Sequence, residues 1–142
     1  MERLVTIGYE GATMADFIAT LRHADVATLV DVREAPISRR PEFAKRQLAS
    51  AVRDAGIGYR HEMVLGAPKR LRERVKADGE YDPFFRDYAE HLAFHEDAVA
   101  ALASGLSGGV ALMCYERDYR ICHRRLVAEA LARHTGLQPQ HL

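Results

Sequence analysis

Cysteine is scarce in this sequence, with only two among 142 residues. Two thiols cannot make the disulfide framework of a small secreted domain, so we interpret them as reagents, ligands or packing residues. An excess of charge is also absent, because lysine plus arginine and aspartate plus glutamate number 20 each. No overall field therefore draws the chain to nucleic acid or anionic lipid, and a site for an anion has to be local.

Long hydrophobic runs are missing as well. No run approaches the roughly 20 apolar residues of a membrane span, and no positively charged segment precedes an apolar one at the start. We therefore expect a cytoplasmic protein with no membrane partner. Hydrophobic residues make up 48% and charged residues 28% of the chain, a balance typical of a folded domain. At 142 residues the chain has the common size of one domain, which we expect to span residues 1–142.

Hydrophobic patterning predicts strands that alternate with helices. Residues 4–7 form a short apolar run, and Thr13 with Asp16 then gives a capping signal before apolar residues at helical spacing. Residues 109–114 (GVALMC) are the clearest buried strand. Further strands are predicted at 28–32, at 59–61 and in the tail after Gly136, and helices at 42–55, at 71–77, in two stretches between Asp82 and Gly105, and at 122–135. This order predicts an α/β fold: a single-domain three-layer αβα sandwich with a mainly parallel sheet, Rossmann-like or rhodanese-like.

Polar residues follow three of the predicted strands. They occupy positions 8–10, 31–33 and 114–116. Ligands of open parallel sheets bind outside the carboxyl ends of the strands. The sequence therefore predicts one functional edge at which these three clusters converge.

Cys114 ends the clearest strand, and a predicted helix begins near Cys122, His123 and Arg124. A thiol near exposed amides and arginines is expected to have a lowered pKa, and the thiolate is the nucleophile. We therefore predict catalytic roles for Cys114, Glu116 and His123, with the cysteine as nucleophile. The alternative is a strand-end cysteine that simply packs in the core.

A basic loop follows the second strand and suits an oxyanion. Asp31 and Arg33 flank Val32, so alternation sends both side chains to one face, where they either pair or meet a substrate. The arginines nearby offer bidentate hydrogen bonds to phosphate or carboxylate, and a solvated basic loop is the alternative. The predicted substrate-binding residues are Gly8, Tyr9, Glu10, Asp31, Arg33, Ser38, Arg39, Arg40, Cys122 and Arg124.

Two other interpretations of the cysteines are weaker. Cys114 and Arg120 fit a C-x5-R anion loop, but no glycine lies between them to let the backbone approach a ligand. Cys122 and His123 could join Cys114 around zinc, with His61 as a fourth ligand. Because adjacent residues at a helix start are expected to point in different directions, we predict no metal and no cofactor.

The motifs TIGYEG, LVDVREAPISRR, LGAP and CYERDYRICHRRLVAEAL, with a terminal HL, resemble the domain of unknown function 488 family over essentially the whole chain. The resemblance implies a compact α/β domain of unsettled activity, and its motifs cover the same candidate residues. Tyr9 and Glu10 stand where many members are expected to have histidine and serine or threonine. A fainter resemblance to rhodanese-like domains, through the LVDVRE strand and a late strand ending in cysteine, implies thiol-centred sulfur or acyl transfer.

Two functions follow as hypotheses. The first is a cysteine-dependent transferase or hydrolase that acts on a small anionic substrate, nucleotide-like or derived from nucleic acid. The second is a non-catalytic nucleotide- or nucleic-acid-binding module with structural cysteines. The reactivity of Cys114 distinguishes them, because only the enzyme requires a thiol more reactive than a model compound.

Overall fold

A computed structural model describes residues 1–142 and contains five strands and six α-helices. The elements in chain order are β1 (Arg3–Gly8), α1 (Met14–His23), β2 (Val26–Asp31), α2 (Lys45–Asp54), β3 (Gly58–His61), α3 (Lys69–Asp78), α4 (Tyr81–Phe94), α5 (Glu96–Gly105), β4 (Gly109–Cys114), α6 (Arg124–Thr135) and β5 (Gln140–His141). The order of strands and helices is the one that the patterning predicts. None of the helices combines the length and the apolar character that crossing a bilayer requires.

All five strands pair in parallel, in the order β3-β2-β4-β1-β5. The central strand, β4, is buried along its whole length, as expected for a strand covered on both faces. In the register, Asp31 pairs with Met113 and Gly8 pairs with Cys114. The carboxyl ends of β1, β2 and β4 therefore lie side by side at one edge of the sheet.

Helices cover both faces of the sheet, which confirms the three-layer sandwich. One core holds Phe17 of α1 and Leu48 of α2, together with Val5, Leu29 and Met113 from the sheet. The other core lies beneath α3, α4, α5 and α6, and its residues include Leu4, Val30, Leu71, Tyr88, Leu102, Leu112, Cys114 and Val127. Two helices therefore pack on one face and four on the other.

The capping signal at the first helix is confirmed, since the Thr13 hydroxyl accepts a hydrogen bond from the Asp16 amide at 3.1 Å. Two helix starts differ from the prediction. Residues Pro41–Phe43 form a 3₁₀ turn, so α2 begins at Lys45 rather than at 42. A second 3₁₀ turn at Tyr119–Ile121 leads into an extended Cys122, so α6 begins at Arg124 rather than at 122.

Candidate functional site

The predicted site residues meet at the carboxyl edge, but they divide between the two faces of the sheet. Residues paired across parallel strands point to the same face, and neighbours along a strand alternate. Asp31 pairs with Met113 and therefore faces α1 and α2, whereas Cys114 faces α3 to α6. The edge carries two groups: the thiol cluster (Cys114, Glu116, Cys122 and His123) and the Asp31 cluster (Tyr9, Asp31, Arg33, Ser38 and Tyr59).

The imidazole of His123 is the centre of the thiol cluster. Its Nδ1 lies 3.9 Å from the Cys114 sulfur and 3.9 Å from the Cys122 sulfur. Its Nε2 lies 2.6 Å from the carbonyl oxygen of Val32. Because a carbonyl only accepts hydrogen bonds, Nε2 carries the proton in the neutral ring, and the Nδ1 lone pair faces both sulfurs. Both cysteines are free thiols.

Local backbone geometry brings Cys122 and His123 to the same centre. Cys122 is extended, with φ −120° and ψ 139°, and His123 turns into the helical region at the start of α6. The Tyr88 ring packs edge-on against the imidazole with centroids 5.1 Å apart. The sulfurs of Cys114 and Cys122 and a ring nitrogen of His123 all lie within 4.8 Å of one another. The expectation that adjacent side chains would diverge was therefore wrong.

Hydrogen bonding distributes charge unequally between the two thiols. The neighbouring Cys122 sulfur, together with burial, raises the pKa of Cys114 well above its usual value. Burial disfavours the Cys122 thiolate, but the neighbouring Cys114 thiol and the contact with His123 outweigh it and lower the pKa of Cys122. The predicted lowering at Cys114 was therefore wrong, and the second cysteine holds the thiolate. Contact with Cys122 outweighs burial at His123 and raises its pKa.

Glu116 adds a carboxyl group with an unusual environment. One of its oxygens, Oε2, is buried without a hydrogen-bond partner. Burial first, and the nearby Cys122 thiolate second, raise the pKa of Glu116 to about 7. A carboxyl group with this pKa can give or take a proton near neutral pH.

A pocket of about 320 Å³ opens onto the thiol cluster. Cys114, Glu116 and His123 line it, whereas Cys122 lies behind them at 1% exposure. The other lining residues are mostly apolar, with two cations among them: Ala67, Arg72, Val75, Lys76, Tyr81, Phe84 and Ile121. None of these residues is among the predicted site residues. Their signal was the helical spacing of Arg72, Val75 and Lys76, which puts them on one side of α3.

The two cations of the pocket have different surroundings. The Arg72 guanidinium donates to the Ala67 carbonyl at 3.0 Å and to the Glu34 carboxylate at 2.8 Å. Lys76 is exposed and pairs with no carboxylate. The ammonium group of Lys76 is therefore free to meet an anion.

The Asp31 cluster is a closed network of hydrogen bonds. Arg33 donates from Nε to one carboxylate oxygen of Asp31 at 2.9 Å and from Nη2 to the other at 2.7 Å. The Tyr59 hydroxyl donates to Asp31 at 2.6 Å. These bonds outweigh burial and raise the pKa of Arg33, while burial and the bond to Asp31 raise the pKa of Tyr59. The charges of Asp31 and Arg33 therefore satisfy each other.

The basic loop joins the same network. The Tyr9 hydroxyl accepts from Arg33 at 3.2 Å and donates to Ser38 Oγ at 3.3 Å. Arg40 donates to the Tyr9 carbonyl at 3.3 Å, pairs with Glu42, and lies over the Phe43 ring. Arg39 is exposed. These contacts fix the loop against the α1 and α2 face and leave Arg39 as its free cation.

The loop that carries Glu116 is held in place by three residues, Gly8, Glu10 and Arg124. A Cβ on Gly8 would lie 1.8 Å from the Glu116 carbonyl oxygen, so only glycine permits this approach. Glu10 accepts from the Arg117 amide at 3.0 Å. Arg124, which is fully buried, donates to the backbone carbonyls of Glu116 and Arg117. All three residues contact the backbone next to the pocket.

The fold and the edge together define a parallel α/β sandwich with a thiol–imidazole cluster at the floor of a small pocket. A family model described as "Domain of unknown function DUF488" matches residues 13–131. The chain therefore belongs to the DUF488 family. No curated protein and no solved structure matches the chain.

Proposed function

We propose that this DUF488 chain is a thiol-dependent enzyme, a transferase or hydrolase that acts on a small anionic substrate in the pocket above Cys114. The observation that carries the proposal is the position of His123 Nδ1, 3.9 Å from both sulfurs, beside a pocket of about 320 Å³. That volume is at the small end of the range for ligand sites, about 300–1,000 Å³. A pocket of this volume suits a small molecule no larger than a nucleotide better than a nucleic-acid duplex.

Each residue of the thiol cluster has a chemical role in this proposal. Cys114 is the sulfur that borders the pocket, so it attacks the substrate while its proton passes to the Cys122–His123 pair. Cys122 is the sulfur with the lowered pKa, and it shares protons with the imidazole nitrogen 3.9 Å away. Glu116 faces the same pocket and serves as the acid or base for the leaving group.

Lys76 is the group that we assign to the substrate anion. It lines the pocket and has no carboxylate partner, whereas Arg33 and Arg40 are engaged with Asp31 and Glu42. Arg72 lies beside it and could turn from Glu34 toward a bound anion. Arg39, exposed on the loop of the opposite face, stays a candidate for a longer substrate such as a nucleic-acid end.

The experiment compares two alkylating probes on the same thiol, neutral iodoacetamide and anionic iodoacetate. In both reactions a sulfur–carbon bond forms, a carbon–iodine bond breaks and iodide leaves. Mass mapping assigns the label to Cys114 or Cys122, and the rates are measured after treatment with a chelator and a reductant. Although the raised pKa keeps Cys114 protonated at rest, the neighbouring Cys122–His123 pair takes its proton as the sulfur–carbon bond forms. We therefore expect Cys114 to react faster than a model thiol and to favour iodoacetate relative to the model. Labelling of Cys114 no faster than the model contradicts the proposal.

A matched pair of lysine variants tests the anion site. Lys76→Ala removes the pocket cation, whereas Lys69→Ala removes an exposed lysine of the same helix that pairs with Glu73. We expect Lys76→Ala to lower the ratio of iodoacetate to iodoacetamide rates and Lys69→Ala to leave the ratio unchanged. Equal ratios in both variants contradict the role of Lys76 without affecting that of Cys114.

The binding-module hypothesis rests on a separate observation, the burial of both thiols. Cys114 is 7% exposed and Cys122 is 1% exposed, values that are ordinary for core cysteines. Under this hypothesis Cys114→Ser leaves the binding of a nucleotide probe such as AMP intact, and Cys114 reacts slowly with both alkylating probes. The labelling experiment therefore separates the two functions.

A further inference from the structure

We infer that Cys114, Cys122 and His123 form a binding site for a soft divalent cation, with Zn²⁺ the best match, whose fourth coordination position opens into the pocket. The inference goes beyond the thiol chemistry proposed above and does not depend on it. The ligand set consists of two sulfurs and one imidazole nitrogen, which lie within 4.8 Å of one another. Thiolate and imidazole are the ligands that zinc prefers in proteins.

The distances suit tetrahedral coordination. Zinc binds sulfur at about 2.3 Å and nitrogen at about 2.0–2.1 Å, so neighbouring ligands in a tetrahedron lie about 3.5–3.8 Å apart. The two sulfur-to-nitrogen separations are 3.9 Å each. The two sulfur-to-nitrogen distances need to shorten by only a few tenths of an ångström. The two sulfurs, which lie within 4.8 Å of each other, need to approach by up to about 1 Å, a shift within reach of side-chain rotation.

The outer contacts of His123 are those of a metal ligand. Its Nε2–H donates to the Val32 carbonyl at 2.6 Å, which fixes the ring orientation and leaves the Nδ1 lone pair free. Metal-ligating histidines donate their second ring N–H to a carbonyl or carboxylate in the same way. His61 makes the same kind of bond to the next carbonyl, that of Arg33 at 2.8 Å, but it has no thiol beside it. Only His123 combines the outer contact with soft ligands.

Three protein ligands leave one position for water or substrate, unlike the four of a closed structural site. Cys114 and His123 line the pocket and Cys122 does not, so the open position faces the pocket. Glu116 lies in the same pocket with one buried oxygen unpaired, and it would meet a molecule bound there. A bound ion draws one electron pair from each sulfur and lowers its nucleophilicity, so metal binding competes with attack by Cys114.

The test uses the whole chain, from which any bound metal has been removed with a chelator in the presence of a phosphine reductant. Zn²⁺ is titrated against a chromophoric chelator, and Co²⁺ is added separately to record its absorption spectrum. We expect one zinc per chain, thiolate-to-cobalt charge-transfer bands, and protection of Cys114 from iodoacetamide by Zn²⁺. Failure to take zinc from the chelator, or a cobalt spectrum without thiolate bands, overturns the inference.

Two histidine variants provide a matched control. His123→Gln should weaken zinc binding by more than about 100-fold, since even the loss of an outer partner costs about 10- to 100-fold. His61→Gln, on the neighbouring carbonyl, should leave zinc affinity unchanged. Equal losses in the two variants contradict the assignment of His123 as ligand. Alkylation of Cys114 is measured separately, on metal-free protein. A chain that binds no zinc but has a reactive Cys114 would therefore contradict the zinc site and leave the proposed enzyme standing.

Discussion

His123 and Val32 are joined by a 2.6 Å hydrogen bond from the imidazole Nε2–H to the backbone carbonyl at the end of β2. The bond ties the helix start that carries the histidine to the strand that leads into the Asp31 cluster. It also fixes the tautomer of the neutral ring, in which the nitrogen that faces the thiols is an acceptor. One backbone carbonyl therefore orients the imidazole that lies beside both thiols.

Replacement of His123 by glutamine should slow the alkylation of Cys114 in chelator-treated protein. The change removes the acceptor beside both sulfurs, and we expect a decrease of about 100-fold, the low end of what a positioned base contributes. The rate constant for iodoacetamide labelling, resolved by mass mapping, measures it. His61→Gln is the control, because its imidazole also donates to a β2-end carbonyl but contacts no thiol. An unchanged rate in His123→Gln argues against any role of the imidazole in thiol reactivity.

Gly8→Ala should destabilise the fold strongly. Its Cβ would lie 1.8 Å from the Glu116 carbonyl oxygen, so the loop beside the pocket has to move. We expect a loss of about 3 kcal/mol or more in the free energy of unfolding, at or beyond the upper end for overpacking. Urea denaturation measures it. Gly105→Ala is the control, since its Cβ would meet only the end of the Arg60 side chain at 3.9 Å; a comparable loss in the control would contradict the steric explanation.

Asp31→Asn should cost about 3–5 kcal/mol of stability, because it leaves the buried Arg33 charge without a counterion. The matched control is Glu129→Gln, which breaks the more exposed pair with Arg125 on α6 and should cost about 0.5 kcal/mol or less. Chemical denaturation of both variants gives the comparison. If the two losses are alike, the Asp31 cluster does not have the structural role that its closed hydrogen bonds indicate.

The C-terminal strand should make stability depend on pH through His141. This residue accepts or donates a hydrogen bond with Thr6 at 2.7 Å and stacks on Tyr119. Burial first, and then the Arg124 charge, lower the pKa of His141 from 6.5, although Glu129 opposes the shift. The folded chain therefore binds fewer protons than the unfolded chain, so this stability is present above pH 6.5 and is lost as the pH falls through the lower folded value.

His141→Gln tests the sign of that dependence. Unfolding free energies are measured for both chains at about pH 7.5 and about pH 5, on either side of the ordinary histidine pKa. The original chain should lose more stability on acidification than the variant. A larger loss in the variant would show that the folded state favours the protonated ring instead.

The order of the elements could be predicted from the sequence because each one carries its own signal. Thr13 caps α1, the run GVALMC forms β4, and Gly136 ends α6 with a φ of 73°. The starts of α2 at Lys45 and of α6 at Arg124 could not be predicted. A short 3₁₀ turn precedes each helix, and such turns have no comparable periodicity in the sequence.

The sequence predicted the location of the candidate site at the edge of the sheet, but not how its side chains are arranged. The sequence brings Asp31 and Cys114 to one edge, but only the register of β2 with β4 decides that they face opposite layers. The pairing joins strands that are far apart in the sequence, and a shift of one residue moves a side chain to the other face. For the same reason Lys76, which comes to the pocket from α3, could not be linked to Cys114 in advance.

The place of β4 in the sheet also has a consequence for how the chain folds during synthesis. β1 neighbours only β4 and β5, and β2 neighbours only β3 and β4, so β1 and the β2–β3 pair share no edge until Gly109–Cys114 has been made. Such late parallel pairing is slow and exposes apolar strand edges meanwhile. In a nascent chain that ends before residue 109, β1 would thus have no strand partner. The pairing of β4 with β1 and β2 completes the sheet and brings Cys114 into place.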